Sequence, residues 1–458
     1  MKHRIILGLG IIALTVALSL VLLQAPAQAE EAEEISEQLG VPLPDVGLTL
    51  RNYFLYKNDY DFDRTDPLYK EYGQSVGVVA TTFIPSLTWR LMPNVLLQYT
   101  VEIGENLWGR NDLDQRDATA ENVPVVRHKE IWAQVTCPTG KVGIRTGYQH
   151  VFDPTHLFVD RYMGAGDLFV RWSSGLATLG AGLMPEHTYE GFGQNDSSNS
   201  EEQNNFENDD ALFYAHVEQW FSDNFELMPA VFVRYDKSII NRPMVTVNPS
   251  LRFVLGQASK VQANIDIAGQ WGRFNRGGVG ERDEDRMAGA FQFSLFTDLE
   301  PVDLRLNLLA LTSDDGDKYD NWTTAYAYSG VSSSRTLLLS ENRFYDQYDN
   351  LDEKVAAQQA GLFLVDPEIG YSPVSGLRLF TVVGYEMVLE TSPTDGESMV
   401  GLETDLGVEF ELVQDHVKLT LMGGGLFPGK AGSVIINEID KDATDPIYHV
   451  QSAMELMF

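Results

Sequence analysis

Arginines and carboxylates at every-second-residue spacing carry the chemistry of this chain. Arg51, Arg90, Arg145, Arg171, Arg234, Arg252, Arg305 and Arg378, with Lys418, stand in segments where polar and apolar residues alternate. So do Glu102, Glu130, Asp167, Glu218, Asp266, Asp303, Glu386, Glu403, Asp405, Glu409, Glu411 and Glu455, with Gln149 among them. Successive side chains of a strand point to opposite faces, so these residues share one face. Guanidinium forks grip carboxylate, sulfate or phosphate bidentately. Rings of such charges in a lumen set the potential that a polar solute meets. The plainer alternative for any one of them is an ion pair that only stiffens a wall.

The elements that must position these groups are strands. Alternating segments run near 46–57, 75–92, 95–107, 127–137, 140–151, 166–174, 176–185, 211–222, 225–237, 244–256, 259–273, 286–298, 302–312, 356–371, 377–390, 399–413, 416–427 and 447–458. That makes about 18 strands, a size that leaves an aqueous channel when a sheet closes. Short turn-forming connections such as Pro93-Asn94, Asp223-Asn224 and Gln414-Asp415 take turns with long polar ones, 109–126, 186–210 and 313–354 among them. Parity is clean in most segments. Leu402, Leu406, Val408, Phe410 and Leu412 oppose Glu403, Asp405, Glu409 and Glu411. A basic residue facing lipid at the midplane costs roughly 2–4 kcal/mol, so the charged parity must face inward. Pro85, Pro229 and Pro249 predict bulges, and Gly423-Gly424-Gly425 predicts a bulge or relief of crowding.

The termini point the same way. Lys2 to Arg4, an apolar run over 5–23 and the small-x-small Ala27-Gln28-Ala29 read as a signal peptide over 1–29. A short periplasmic segment over 30–45, with room for one or two helical turns, would lead into a transmembrane barrel over 46–458. Phe458 closes an alternating strand, as expected of an assembly signal read by the barrel assembly machinery. The all-β expectation is thus a transmembrane antiparallel up-and-down barrel in the outer membrane of a Gram-negative bacterium, both termini periplasmic. Mean hydropathy of −0.16 fits, because only alternate residues need be apolar. One cysteine excludes an intramolecular disulfide. A formal charge of −33 argues against nucleic acid.

His128, His150, His156, His187, His216, His416 and His449 are scattered. His150, Asp153 and His156 lie close together, yet no nucleophile motif accompanies them, so no enzyme is expected. A barrel protease or lipase, or a structural or adhesion barrel, is the alternative. The acids of 186–210 offer oxygen ligands to Ca2+ or to cations bridging lipopolysaccharide. Asp314-Asp315-Gly316-Asp317 lacks the closing Glu of a calcium loop and reads as a turn. No other cofactor is implied. Trp108, Trp172, Trp220 and Trp271 suit interfacial girdles.

The segment His128-Lys129-Glu130-Ile131-Trp132-Ala133-Gln134-Val135, then Gly143-Ile144-Arg145-Thr146-Gly147-Tyr148-Gln149 through Leu157-Phe158, resembles paired early strands of the alginate-export barrels. Arg145 and Gln149 match the family's arginine-x-glycine-arginine-glutamine strand, and Tyr148 replaces its second arginine. The resemblance implies a monomeric 18-stranded barrel passing an anionic polysaccharide. The residues themselves imply a passive, charge-selective channel for polar solutes.

Overall fold

A computed structural model describes residues 42, 44–58, 76–107, 126–184, 210–236, 244–274, 284–313, 326–327, 360–436 and 444–458. The expected signal peptide, the segment over 30–39, Trp108, His187, the acidic 186–209 stretch and the 314–320 turn lie outside them.

Alternation becomes strand throughout. In chain order the strands are β1 (Asp45–Lys57), β2 (Val76–Met92), β3 (Val95–Leu107), β4 (Val126–Thr136), β5 (Val142–Phe152), β6 (Val159–Trp172), β7 (Gly175–Met184), β8 (Asp210–Ser222), β9 (Phe225–Asp236) and β10 (Met244–Leu255). There follow β11 (Val261–Phe274), β12 (Glu284–Asp298), β13 (Val302–Leu311), β14 (Tyr326–Ala327), β15 (Leu362–Val374), β16 (Leu377–Val388), β17 (Met399–Val413), β18 (Val417–Pro428) and β19 (Ile447–Met457). Two-residue β14 only docks, in parallel, on Val159 and Asp160 of β6. The other 18 form one antiparallel wall, each paired with its sequence neighbour. A short helix, α1 (Lys430–Ile436), follows β18.

The wall closes. β19 pairs with β1 in register from Thr49↔Met457 to Lys57↔His449. Phe458 extends the seam: its N–H donates to Leu48 O (2.9 Å), and Leu48 N–H donates to Phe458 O (2.8 Å). Its ring stacks on His416. Closure leaves no strand edge, the condition for strands to survive in hydrocarbon. The outer face is apolar, as at Ile267, Leu304, Leu406 and Val450.

Four expectations need correction. β6 begins at Val159, not 166, because Asp160 to Met163 pair with Gln149 to Phe152 although alternation fails there. β15 runs over 362–374 rather than 356–371. Pro85, Pro229 and Pro249 make no bulge. A proline forfeits one N–H bond but leaves the residue count unchanged, so the ladders beside Pro85 and Pro249 hold register. Trp220 points inward and donates to Glu226 Oε1 (2.6 Å), unlike outward Trp172 and Trp271.

Short turns gather at one end of the wall, and Cys137 marks one of them. Thr139 Oγ1 lies 3.1 Å from its sulfur and Val142 N–H donates to it. These contacts lower the thiol pKa to about 7. A membrane-impermeant maleimide near pH 7 should label Cys137 in permeabilised cells and spare it in intact ones. Labelling of intact cells would place the short turns outside.

Candidate functional site

The inward charges form paired groups on rigid strands. Arg378 is the centre of the largest. Its Nε donates to Asp303 Oδ2 (2.8 Å) and its Nη2 to Asp303 Oδ1 (2.5 Å) and to Glu368. Arg305 lies 3.7 Å from Asp303 and 3.8 Å from Glu368, over the ring of Phe296. Glu409 receives Arg378 and Lys418, each at 3.6 Å. Arg51 binds Glu455 at 3.0 Å.

Asp167 centres a second group. Arg145 donates to its Oδ2 from Nε (3.0 Å) and Nη2 (2.7 Å), Gln149 Nε2 donates to the same oxygen (3.0 Å), and Tyr214 donates to Oδ1. The Arg145 guanidinium also lies over Trp132. The remaining expected residues also occupy the inward parity. Glu102 takes Lys129 at 2.5 Å. Glu130 accepts from Thr100 and Trp132, both at 3.3 Å. Arg171 covers Phe169, Glu218 lies 3.8 Å from His216, and Arg252 lies 3.4 Å from Asp266. Arg234 is half-buried. Glu386, Glu403 and Asp405 are wholly buried. Glu411 is exposed, opposite Lys418.

What the alternation did not show is a hairpin inside the barrel. β4 and β5 stay paired only up to Ile131↔Tyr148. On the other side β6 pairs with β7 up to Gly164↔Leu183, one residue short of Met184, where the described part of β7 ends. Between these points β5 and β6 continue to pair with each other, to Phe152↔Asp160. The tip over 149–163 therefore leaves β4, which itself continues to Val126 without pairing to β5. Gly147 (φ +136°) permits the last approach to β4, since a Cβ there would lie 2.1 Å from Ile131 O.

One face of the tip is apolar and turns to the interior. Val151, Leu157, Phe158, Val159 and Met163 join the inward Leu212, Tyr214, Phe232, Leu309, Leu362 and Leu364 in one buried cluster, with Ala431 and Ile435 of α1. The Arg252 guanidinium, on β10, donates to Pro154 O (2.5 Å). Asp153 ties the loop: its carboxylate accepts from the N–H of Thr155 (2.9 Å), Phe158 (2.8 Å) and Val159 (3.0 Å), and from the Thr155 hydroxyl. The other face stays accessible. There Asp160 receives His150 Nε2 (2.5 Å) and His156 Nδ1 (3.0 Å), and Phe152 is 41% exposed. The His150 ring stacks on Tyr162, and His156 stacks on Phe152.

The short-turn end opens as a cavity of about 860 Å³. It is lined by Asp298, Glu300, Asp303, Glu409, Glu411 and Asp415 against Arg378 and Lys418. Both bases are already paired, so the mouth carries negative potential.

No protein-family model and no curated protein sequence matches the chain. Solved structures do. A BenF-like porin from Pseudomonas fluorescens Pf-5 is 11% identical with a TM-score of 0.53, covering 91% of this chain and 98% of that one. OccAB1 of Acinetobacter baumannii is 12% identical with a TM-score of 0.53, covering 91% and 96%. OpdK of Pseudomonas aeruginosa, solved with vanillate, is 12% identical with a TM-score of 0.52, covering 90% and 98%. The chain thus shares the closed 18-stranded barrel fold of porins. The alginate-export resemblance is not supported. Arg145 and Gln149, which carried it, both donate to Asp167.

Asp153→Ala should release the tip, because it strands three buried N–H groups. Each costs about 1–3 kcal/mol when unsatisfied. The expected outcome is a lower unfolding midpoint with faster amide exchange confined to 153–159. Unchanged exchange there would remove Asp153 as the tie.

Proposed function

We propose that the chain is an outer-membrane channel for passive, charge-selective passage of small polar solutes, narrowed by the β5–β6 hairpin tip. The tip carries this reading. A hairpin leaves its wall and fills the bore with an apolar face, yet keeps ionisable and aromatic groups accessible on the other. Such an element divides a wide barrel into a narrow path with defined chemistry. The likeness to porin barrels supports the class, and OpdK having been solved with vanillate supports a small solute as cargo. Export of a polysaccharide has no such support. The cluster from β6 to β15 occupies the bore that a polymer would thread. An enzyme is not favoured either, since among the described residues the side-chain hydrogen-bond partner of both His150 and His156 is Asp160, an arrangement without a nucleophile.

The acidic mouth sets the sign of the filter. Arg145 and Arg378 are neutralised by their partners, so an anion path through them is not expected. In planar bilayers under a KCl gradient the reversal potential should show preference for K+. Neutralising Glu300, Glu411 and Asp415 together should reduce it, and an anion-selective wild type would overturn this assignment. Deleting 153–158 should raise single-channel conductance on the order of twofold, because a constriction dominates the resistance of a pore. No change in current would show that the tip does not narrow the path.

A further inference from the structure

We propose that Glu403, Asp405 and His449 bind a divalent transition-metal ion that links β17 to β19 across β18, with zinc the best-matched ion. The site is independent of whether the barrel conducts. All three side chains are completely buried on rigid strands. One ligand atom from each lies within 4.8 Å of the others. His449 Nε2 is 2.8 Å from Asp405 Oδ1 and 3.6 Å from Glu403 Oε1. Zinc takes imidazole and carboxylate at about 2.0–2.2 Å, so ligands around a tetrahedral ion stand roughly 3.3–3.5 Å apart. The two observed separations bracket that value, and an ion would enter by parting His449 from Asp405.

The intervening strand is shaped for this. Asp405, Gly424 and His449 are in register across β17, β18 and β19. A Cβ on Gly424 would lie 2.0 Å from Asp405 Oδ1, so the carboxylate occupies the space a side chain would fill. Only glycine there lets it reach over β18 to His449. The middle glycine of Gly423-Gly424-Gly425 thereby has a specific reason. Two carboxylate oxygens beside one imidazole nitrogen make a mixed donor set of the kind a divalent transition-metal ion takes. His449 adds the nitrogen ligand that distinguishes zinc from calcium or magnesium.

The test uses the full chain purified in detergent and shown to be folded by heat-modifiable gel mobility. After loading with zinc chloride and dialysis into metal-free buffer, elemental analysis should find about one zinc per folded chain. Folded Gly424→Ala should lose it, because the new Cβ displaces the Asp405 carboxylate. Glu403→Gln, which keeps size and shape, should weaken retention at least tenfold, and His449→Ala should abolish it. Glu411→Gln, at the exposed mouth, should retain zinc like wild type. Wild type holding no zinc would overturn the site, leaving a His–Asp hydrogen bond. So would retention unchanged in Gly424→Ala and Glu403→Gln, which would put the ion elsewhere.

Discussion

The backbone hydrogen-bond ladder, and its opening at the β5–β6 tip, governs the structure. Every wall strand is paired on both sides, and the seam between β1 and β19 extends to Phe458. In an apolar surround each unpaired backbone group costs several kcal/mol, which is why the sheet must close. The β5–β6 tip over 149–163 breaks that rule where β5 parts from β4. It can do so only inside the barrel. There Asp153 takes up the loop N–H groups, Arg252 takes up Pro154 O, and β14 docks on Val159 and Asp160. The break that would be ruinous in lipid thus becomes the element that shapes the bore.

The interior that receives the hairpin is divided by polarity. Around the tip, inward Leu212, Phe232, Leu309 and Leu364 are buried together with its apolar face. Toward the short turns the inward positions are Arg, Asp and Glu, paired across neighbouring strands. Removing one partner from such a buried pair costs roughly 3–5 kcal/mol, so these groups are tied to one another and to the wall. Arg378 meets three carboxylates at once, and Asp167 accepts from three side chains. Among the described residues, the accessible face of the tip and Glu300, Glu411 and Asp415 at the short-turn end stand outside these two networks.

Legibility followed the range of the interaction. Parity was readable at β11, where Asp266 is buried inward and Ile267 exposed outward, because neighbouring residues alone decide it. The 18 strands were countable for the same reason. Arg145 is legible as an inward residue but its partner is not, since Asp167 is 22 residues away and nothing local announces the pair. The start of β6 was missed because Asp160, Arg161 and Tyr162 break the alternation, and their strand state comes from pairing with Gln149 to Phe152. Leu157 and Phe158 fall between the expected strands 140–151 and 166–174, although both are buried.

Alternation at period two, turn residues at fixed intervals and a closing aromatic are properties of short stretches of chain. They suffice for an antiparallel barrel with an apolar outside and a charged inside, because each strand must satisfy that condition by itself. Which charges neutralise each other, where the ladder opens, and what fills the bore are set by residues far apart in the chain. His449 meets Asp405 across an intervening glycine, and Arg252 meets Pro154 across 98 positions. Such encounters exist only once the sheet has closed, because closure fixes which strands face one another across the lumen.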